Sequence, residues 1–587
     1  MSFVKPTAKT WRLLPQDRPA ADRLAAEVGI SPVSAQILLN RGVRDASSAR
    51  RFLEAPLTDL FTPDKLPGAA EAADRLGQCV QNRERVVVYG DYDVDGVCAT
   101  AILYRLLRIL GVPAEFYVPH RIEEGYGLKV EPLRQFAADG VQTVVTVDCG
   151  INSHVEAAEA QRLGLNLIIT DHHEIGARLP QASAVVHPRL PEGDAPFVEL
   201  SGAGVAFKVA WALAQKVSGG ERVAGHLREF LLDAVALAAI GLIGDVMPLR
   251  EENRVLVKHG LNRLRTAPLP GLRALVEASG ISLEKPLRAE DVAFKLAPRL
   301  NAAGRLGCAR LVVDLLTTFS EQRARELASY LDQQNRERQT LERRITSHAR
   351  ELLADSRELD RPALVLAHED WHPGVIGIVA GRLADRYGKP TLIVAKGMNP
   401  ATGSGRSVPG FDLHAALAAC SSELLSFGGH AAAAGFRILP ERIDSLRQKF
   451  CDVVAASWSP HASRDVLTLD LEVPLHVLTP GLLRELDRLE PYGAANPRPR
   501  FLAGDVSIVS VPQRIGGGER HLTFRVRQHT TTFRAVAFDM ADRLDELMSE
   551  GGQCCLAFAP KMNTWQGMQN VELEVVDFQP GPRAVLG

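Results

Sequence analysis

Between residues 68 and 200, short runs of apolar, mostly β-branched residues recur with a helical stretch between each and the next. Residues 86–90, 114–118, 143–148 and 167–171 read as strands, and 184–186 as a shorter one. Residues 69–81, 97–110, 130–139 and 153–163 carry apolar side chains at helical spacing. Parallel neighbours need a crossover where antiparallel ones need only a hairpin. The alternation therefore restricts this region to βαβ units and a mostly parallel α/β sheet. Helices at 203–216 and 226–243 extend it.

In an open α/β sheet, ligands bind beyond the carboxyl ends of the strands, and that is where the acids fall. Asp91, Asp93 and Asp95 alternate directly after the first strand. Asp148 ends another strand, Asp171-His172-His173 ends the next, and Asp245 closes the apolar run 234–244. One aspartate in such a place is commonly a helix N-cap. Together they carry a repulsion and desolvation cost that divalent cations remove. Carboxylates with an imidazole suit Mg²⁺ or Mn²⁺, and two ions would stand about 3.5–4 Å apart. In an extended segment the three aspartates project to one side, and Gly90 and Gly96 permit a tight turn into the next helix. One of the three is free to act through a hydrogen bond instead. His172 and His173 diverge, one toward metal and one toward a substrate phosphate, with a supporting or core role as the alternative.

Outside this region, residues 1–62, with Pro15, Pro19, Pro32 and Pro56, read as a small helical appendage. Residues 318–355 hold no Gly or Pro and predict one long connecting helix. A second α/β unit follows, with strands 363–367 and 391–395 around a helix at 376–387. After about residue 465 the pattern changes to short β-runs at 466–471, 501–511, 522–526, 532–538, 554–559 and 571–578, which suggest a small sandwich or barrel. The expected division is 1–62, a catalytic domain at 63–317, a connector at 318–357, a second α/β domain at 358–460 and a β-domain at 461–587.

Composition excludes several classes. A formal net charge of −2 confines any nucleic-acid contact to a local groove or patch. Eight cysteines without a CxxC pair give no zinc ribbon and fit a reducing compartment. The first ten residues lack the apolar core of a signal peptide, and the longest apolar run is too short for a bilayer, so a cytoplasmic location without membrane contact is expected.

Gly90-Asp-Tyr-Asp-Val-Asp-Gly96, Asp148, Asp171-His-His173 and Asp245 resemble the four motifs of the DHH phosphoesterase superfamily. Pro298-Arg-Leu-Asn-Ala-Ala-Gly-Arg305, Trp371-His-Pro-Gly-Val-Ile-Gly-Ile378 and Phe427-Gly-Gly-His430 narrow the resemblance to the RecJ family of bacterial single-strand-specific 5′→3′ exonucleases, over about residues 60–580. The resemblance implies a DHH domain, a DHHA1 domain and an OB-fold. It implies that Asp93, Asp95, Asp148, His172 and Asp245 bind two Mn²⁺ or Mg²⁺ ions, with Asp148 as the bridge. Asp91 would support them or ligate partially, and His173 would face the scissile phosphate. His430 becomes a further phosphate contact beside Gly428 and Gly429, with a buried structural histidine as the alternative. Ser404 and Arg406, in Gly403-Ser-Gly-Arg-Ser407, become a pocket for the 5′-terminal phosphate: glycines let backbone N–H groups approach an anion, and arginine grips phosphate bidentately. Asn301, Arg305 and, more weakly, Arg121 are phosphate candidates, while Arg299 could hold an interface between lobes.

Residues 491–540 hold seven arginines (498, 500, 514, 520, 525, 527, 534) against Asp505, Glu519 and Asp539, interleaved with Tyr492, Phe501, Phe524, Phe533 and Phe538. Arginines attract phosphates and exposed aromatics stack on bases; most of these aromatics are expected in the core. Tyr492-Gly-Ala-Ala-Asn496 departs from a more glycine-rich turn of the family. The implied reaction is hydrolysis of single-stranded DNA to nucleoside 5′-monophosphates in repair and recombination. The implied partners are single-strand-binding protein and a RecQ-type helicase, and the implied state is a monomer. A phosphoesterase of short oligonucleotides or cyclic dinucleotides, and a non-catalytic single-strand-binding scaffold, are the rival readings.

Overall fold

The computed structural model describes residues 9–191, 193–266, 269–354, 357–458, 466–565 and 568–586. Residues 1–8, on which the expectation about a signal peptide partly rests, and 461–465 at the expected β-domain boundary lie outside them. The chain forms two compact units: Phe61–Met247 with His259–Ser463, and Met1–Leu60 with Pro248–Lys258 and Arg464–Gly587.

The first unit opens with α1 (Ala69–Asn82), β1 (Val86–Gly90), α2 (Val94–Ile109), β2 (Ala114–Tyr117), α3 (Val130–Ala138), β3 (Thr143–Val147), α4 (His154–Arg162), β4 (Asn166–Thr170) and β5 (Ala184–Val186). The sheet runs β2-β1-β3-β4-β5 and every pair is parallel. Strands β1 and β3 are buried along their whole length, as their unbroken Val-rich runs require when helices cover both faces. Register brings the strand ends together. Gly90 pairs with Val147, and Val147 with Thr170, so Asp91, Asp148 and Asp171 leave neighbouring strands at one edge. The helices α5 (Gly202–Ser218) and α6 (Gly225–Gly244) follow, and then α7 (Ala297–Arg305) and the 34-residue α8 (Glu321–Ala354).

A second sheet is built from β6 (Leu364–His368), β7 (Thr391–Ala395), β8 (Ala401–Arg406), β9 (Ser426–Gly429) and β10 (Ala433–Ile438), with α9 (Ile376–Tyr387) crossing between β6 and β7. Its order is β9-β10-β8-β7-β6, with only β6–β7 parallel. The glycines at 403, 405, 428 and 429 lie inside strands. Gly403 is required because a Cβ there would stand 2.1 Å from the Phe436 ring, and Gly405 because one would stand 2.6 Å from Leu392.

In the other unit, strands Phe501–Ile508, Gln553–Trp565, Met568–Pro580, Thr531–Ala537 and His521–Gln528 pair in turn, and His521–Gln528 pairs back to Phe501–Ile508. The sheet is a closed five-stranded barrel. The expected strand 466–471 breaks at Asp470, whose carboxylate accepts from Arg41 Nη1 (2.6 Å) and the Arg500 N–H (3.0 Å). Val466–Leu469 pairs in parallel with Thr10–Leu13 instead. The N-terminal segment is therefore no separate appendage. Helices Arg18–Val28, Pro32–Asn40 and Ala46–Glu54 share one hydrophobic core with the barrel, and the fully buried Trp11 indole donates to Asp577 (2.8 Å). Residues 248–258 also belong here rather than to the catalytic domain, because Arg254 lies over the Phe52 ring at 3.8 Å and donates to the carbonyls of Phe52 and Glu490.

Candidate metal centre

The three aspartates after β1 do not form an extended, one-sided row. Asp93 caps α2, its Oδ1 accepting from the N–H of Asp95 (2.9 Å) and Gly96 (3.1 Å), so Asp95 already lies in the first helical turn. Capping competes with extension, and Asp93 is the residue type that wins that contest. Asp95 therefore turns inward. Its two oxygens accept from the N–H groups of Gly202 (2.6 Å) and Ala203 (3.1 Å) at the start of α5.

The side chains nevertheless converge. Ligand atoms of Asp91, Asp93 and Asp148 lie within 4.8 Å of one another, as do those of Asp95, His172 and Asp245, and those of Asp148, His172 and His173. His172 Nε2 stands 3.1 Å from Asp148 Oδ1, 3.7 Å from Asp245 and 3.9 Å from Asp95. Asp148 thus belongs to one carboxylate group and touches the other through His172. It adopts φ of 62°, in the left-handed region.

The electrostatics ask for cations. Burial, then the neighbouring Asp93, pushes the Asp91 carboxyl up to about 8, and burial with Asp95 and Asp93 pushes Asp245 up to about 8 as well. Asp148 is raised well above the carboxylate range by burial and by Asp95, Asp93 and Asp91. Asp91 Oδ1 and Asp148 Oδ1 are buried without a hydrogen-bond partner. Such orphaned oxygens, beside an imidazole, fit hard divalent cations.

The adjacent histidines are pulled in opposite directions. Burial, and then the charge on His173, lowers His172 to about 3, which leaves a neutral ring with a lone pair to give. Burial alone would lower His173 too, but a hydrogen bond from Nδ1 to Asp171 (2.7 Å) and the charges of Asp171, Asp245 and Asp91 raise it to about 9. Asp171 stays below its ordinary value because His173 and the Ile151 N–H bind it against the penalty of burial. The Tyr126 hydroxyl, 3.1 Å from His173 Nδ1, donates to the Asp148 carbonyl (3.2 Å).

A ring of guanidiniums lies beside the acids. Arg305 is depressed to about 9 by burial and by the charges of Arg121, Arg406 and Arg338. Arginine does not give up its proton, so this convergence of like charge calls for an anion. Arg121 lies 4.7 Å over the Tyr92 ring, within the aspartate loop. Ser404 and Arg406 sit two residues apart in β8 and so share a face, where the Arg406 guanidinium meets Ser404 Oγ (3.3 Å). A Cβ at Gly377 on α9 would stand 2.8 Å from Ser404 Oγ and 3.1 Å from Arg406 Nη2, so this glycine leaves the pair its room.

Other expected contacts fall differently. Asn301 Oδ1 accepts from the Val94 N–H (3.0 Å), bracing the start of α2, so only its Nδ2 can donate to a phosphate. Arg299 joins Asp332 on the connecting helix α8 (2.8 Å). His430 is exposed after β9 with Gly428 and Gly429, which removes the buried structural alternative; no hydrogen bond or ion pair among the described residues joins it to the acids. In the barrel, Tyr492, Phe501 and Phe524 are buried, Phe533 is half-buried, and Phe538 and six of the seven arginines are exposed. Sequence reasoning missed Tyr126, Asp171 as a partner of His173, and the glycines that admit the carboxylates. A Cβ at Gly202 would stand 2.5 Å from Asp148 Oδ1, and one at Gly241 2.3 Å from Asp95 Oδ1. The run Ser201-Gly-Ala-Gly204, opening a helix behind its serine cap, was the available signal.

Comparison with known proteins follows the same division. The DHH family N-terminal domain matches residues 85–239, the DHHA1 domain 360–456 and the RecJ OB domain 469–577. The single-stranded-DNA-specific exonuclease RecJ of Bacillus subtilis is 36% identical over 571 residues, 97% of this chain and 70% of that protein. The chain belongs to the RecJ family. Two crystal structures of RecJ from Thermus thermophilus, in complex with Mn²⁺ and with Mg²⁺, superpose with TM-scores of 0.84 and 0.77. They share 33% and 32% identity and cover 98% of this chain, which spans 80% and 79% of theirs. In the turn at 492–496, Ala495 takes φ of 60°, and Asn496 donates to the carbonyls of Leu489 (2.9 Å) and Pro491 (2.8 Å).

Proposed function

We propose that the chain is a metal-dependent exonuclease that shortens single-stranded DNA from its 5′ end and releases nucleoside 5′-monophosphates. The observation that carries this reading is the pair of ligand groups linked through Asp148, with a guanidinium ring beside them. Asp93, Asp95, Asp148, His172 and Asp245 would hold two Mn²⁺ or Mg²⁺ ions, with Asp91 in support. Ions bound there supply Lewis-acid stabilisation of the scissile phosphate and a water that ionises near neutral pH.

The chain's own residues do the rest. His172, neutral, offers its lone pair, while His173, kept cationic by Asp171, gives a phosphate oxygen a charged donor. Arg305 and Arg121 neutralise phosphates beside the acids. Ser404 and Arg406 bind the terminal 5′-phosphate, so that cleavage starts from that end, and His430, beside Gly428 and Gly429, contacts the scissile phosphate. The bond to the 3′-oxygen of the terminal nucleotide breaks as water attacks in line, and no covalent intermediate is needed. In this reading the catalytic domain is 63–317 apart from 248–258, joined by 318–357 to the end-binding domain at 358–460, and the β-domain expected at 461–587 tracks the strand. No helix among the described residues is long and apolar enough to cross a membrane. A cytoplasmic monomer acting with single-strand-binding protein and a RecQ-type helicase in repair and recombination completes the proposal.

The direct test uses 3′-labelled, 5′-phosphorylated single-stranded DNA with Mn²⁺. Stepwise shortening that EDTA abolishes supports the reading, and DNA that is bound but left intact refutes it. Arg406→Ala is expected to cut the preference for a 5′-phosphate over a 5′-hydroxyl by about tenfold to a hundredfold, the worth of a charged bidentate contact. An unchanged preference would remove Arg406 from the end-binding role.

Acidity supplies a second test. Asp91, Asp245 and His173 are raised in the fold above their unfolded values, so these groups take stability from the metal-free fold as pH rises, the aspartates between about 4 and 8 and His173 between 6.5 and about 9, while His172, lowered to about 3, acts the other way below 6.5. Cation binding displaces those protons. Mn²⁺ affinity by calorimetry should rise about tenfold per pH unit for each proton displaced; a flat profile would contradict the ligand assignment.

A further inference from the structure

Val246 follows Asp245 and takes φ of 58°, the one β-branched residue with positive φ among the described residues. In the left-handed region a β-branched side chain crowds its own backbone, which makes this residue a genuine outlier. The hydrogen bonds account for the turn but not for the valine. The Val246 N–H donates to the Ile243 carbonyl (3.2 Å) and the Met247 N–H to the Leu242 carbonyl (3.0 Å), the paired bonds of a Schellman helix end. Glycine usually takes the left-handed place there, because it makes both bonds without strain. Burial does not account for the valine either, since its side chain is 70% exposed.

The neighbouring Asp245 is where such a constraint matters. Helix α6 ends in Gly244, where a Cβ would stand 2.1 Å from Val94 Cγ1, so the last turn of α6 is pressed against the start of α2. Asp245 stands beyond that turn as its cap. Its carboxylate lies at the negative end of the helix dipole, and Asp93 and Asp95 repel it as well. Its side chain is 31% exposed, against 1% for Asp95, 3% for Asp148 and 11% for His172. Among these residues Asp245 has the open route to water, yet it stays 3.7 Å from His172.

We propose that Val246 is a positioning residue: its narrow left-handed backbone well fixes the turn after α6 and holds the Asp245 carboxylate at the metal centre. The inference rests on the reading of Asp245 as a ligand. Valine has few χ1 states and a tight φ range, whereas glycine in this place samples both signs of φ and would let Asp245 swing toward water. The strain lowers the stability of the metal-free fold and is kept beside a ligand, where strained residues commonly cluster.

The experiment uses the full chain carrying Val246→Gly or Val246→Ile, with Asp245→Asn as the control. It measures the melting temperature in EDTA and the Mn²⁺ affinity by calorimetry. Val246→Gly is expected to raise the melting temperature by about 1–3 °C, because relief of strain outweighs glycine's added freedom in the unfolded chain. The same change should weaken Mn²⁺ binding by about twofold to fivefold, the freedom that glycine restores to the turn. Val246→Ile keeps the β-branch and should keep both values. A purely structural role would not move the two quantities in opposite senses. Unchanged Mn²⁺ affinity in Val246→Gly, or a lower melting temperature, overturns the inference. Asp245→Asn scores the underlying reading: if it binds Mn²⁺ as tightly as the parent chain, Asp245 is no ligand and the inference falls with it. Affinity lost in Asp245→Asn but kept in Val246→Gly overturns the inference alone.

Discussion

Asp148→Asn is expected to abolish cleavage and to stabilise the metal-free protein at once. The two effects have one cause. Asp148 stands among Asp91, Asp93, Asp95 and Asp171, and its buried Oδ1 has no hydrogen-bond partner. Removing its charge relieves the repulsion that raises its neighbours, and asparagine tolerates the left-handed φ of 62° as well as aspartate does. The same change deletes the carboxylate that links the two ligand groups. Turnover should fall by roughly four orders of magnitude, about 5 kcal/mol of transition-state stabilisation, while the melting temperature in EDTA rises. A variant that keeps a tenth of its activity, or melts earlier in EDTA, would contradict the role assigned to Asp148.

Gly202→Ala is expected to cripple the same site from outside it. Alanine is the better helix former by about 1 kcal/mol, so local reasoning predicts a gain. The tertiary structure predicts the opposite, because the new Cβ would stand 2.5 Å from Asp148 Oδ1 and 2.6 Å from its Cβ. Either Asp148 moves or α5 does, and α5 carries the N–H groups that orient Asp95. Mn²⁺ affinity measured by calorimetry should drop by about tenfold to a hundredfold, the usual cost of losing such outer support. An affinity equal to that of the parent chain would mean that the close approach is not needed.

What could be read from the residues follows from how local each determinant is. The parallel sheet, its strand ends and the acids on them depend on short-range patterning and on the period of a strand, and they stand where expected. The fate of Asp95 depends on whether Asp93 caps a helix, and alternating aspartates look alike in either case. Nothing local marks Gly403 and Gly405 as strand residues, since glycine is common in turns; Phe436, 33 residues from Gly403, decides that they lie in a strand. The run Ser201-Gly-Ala-Gly204 marks a helix start but not the acids that Gly202 admits, and Gly241 carries no local signal at all, since those carboxylates lie far along the chain. The helices before residue 60 looked self-contained for the same reason: their apolar faces are closed by strands near the other end.

That closure bears on how the protein is made. Trp11 and its partner Asp577 are separated by 566 residues. At about 5–20 residues per second on the ribosome, the first helices wait roughly half a minute to two minutes for the strands that cover them. The intervening catalytic unit can fold in that interval, but the N-terminal segment cannot complete its core. Its apolar faces are thus the part of the nascent chain most in need of a chaperone, and a substitution there should lower yield in the cell before it touches the rate of any purified molecule.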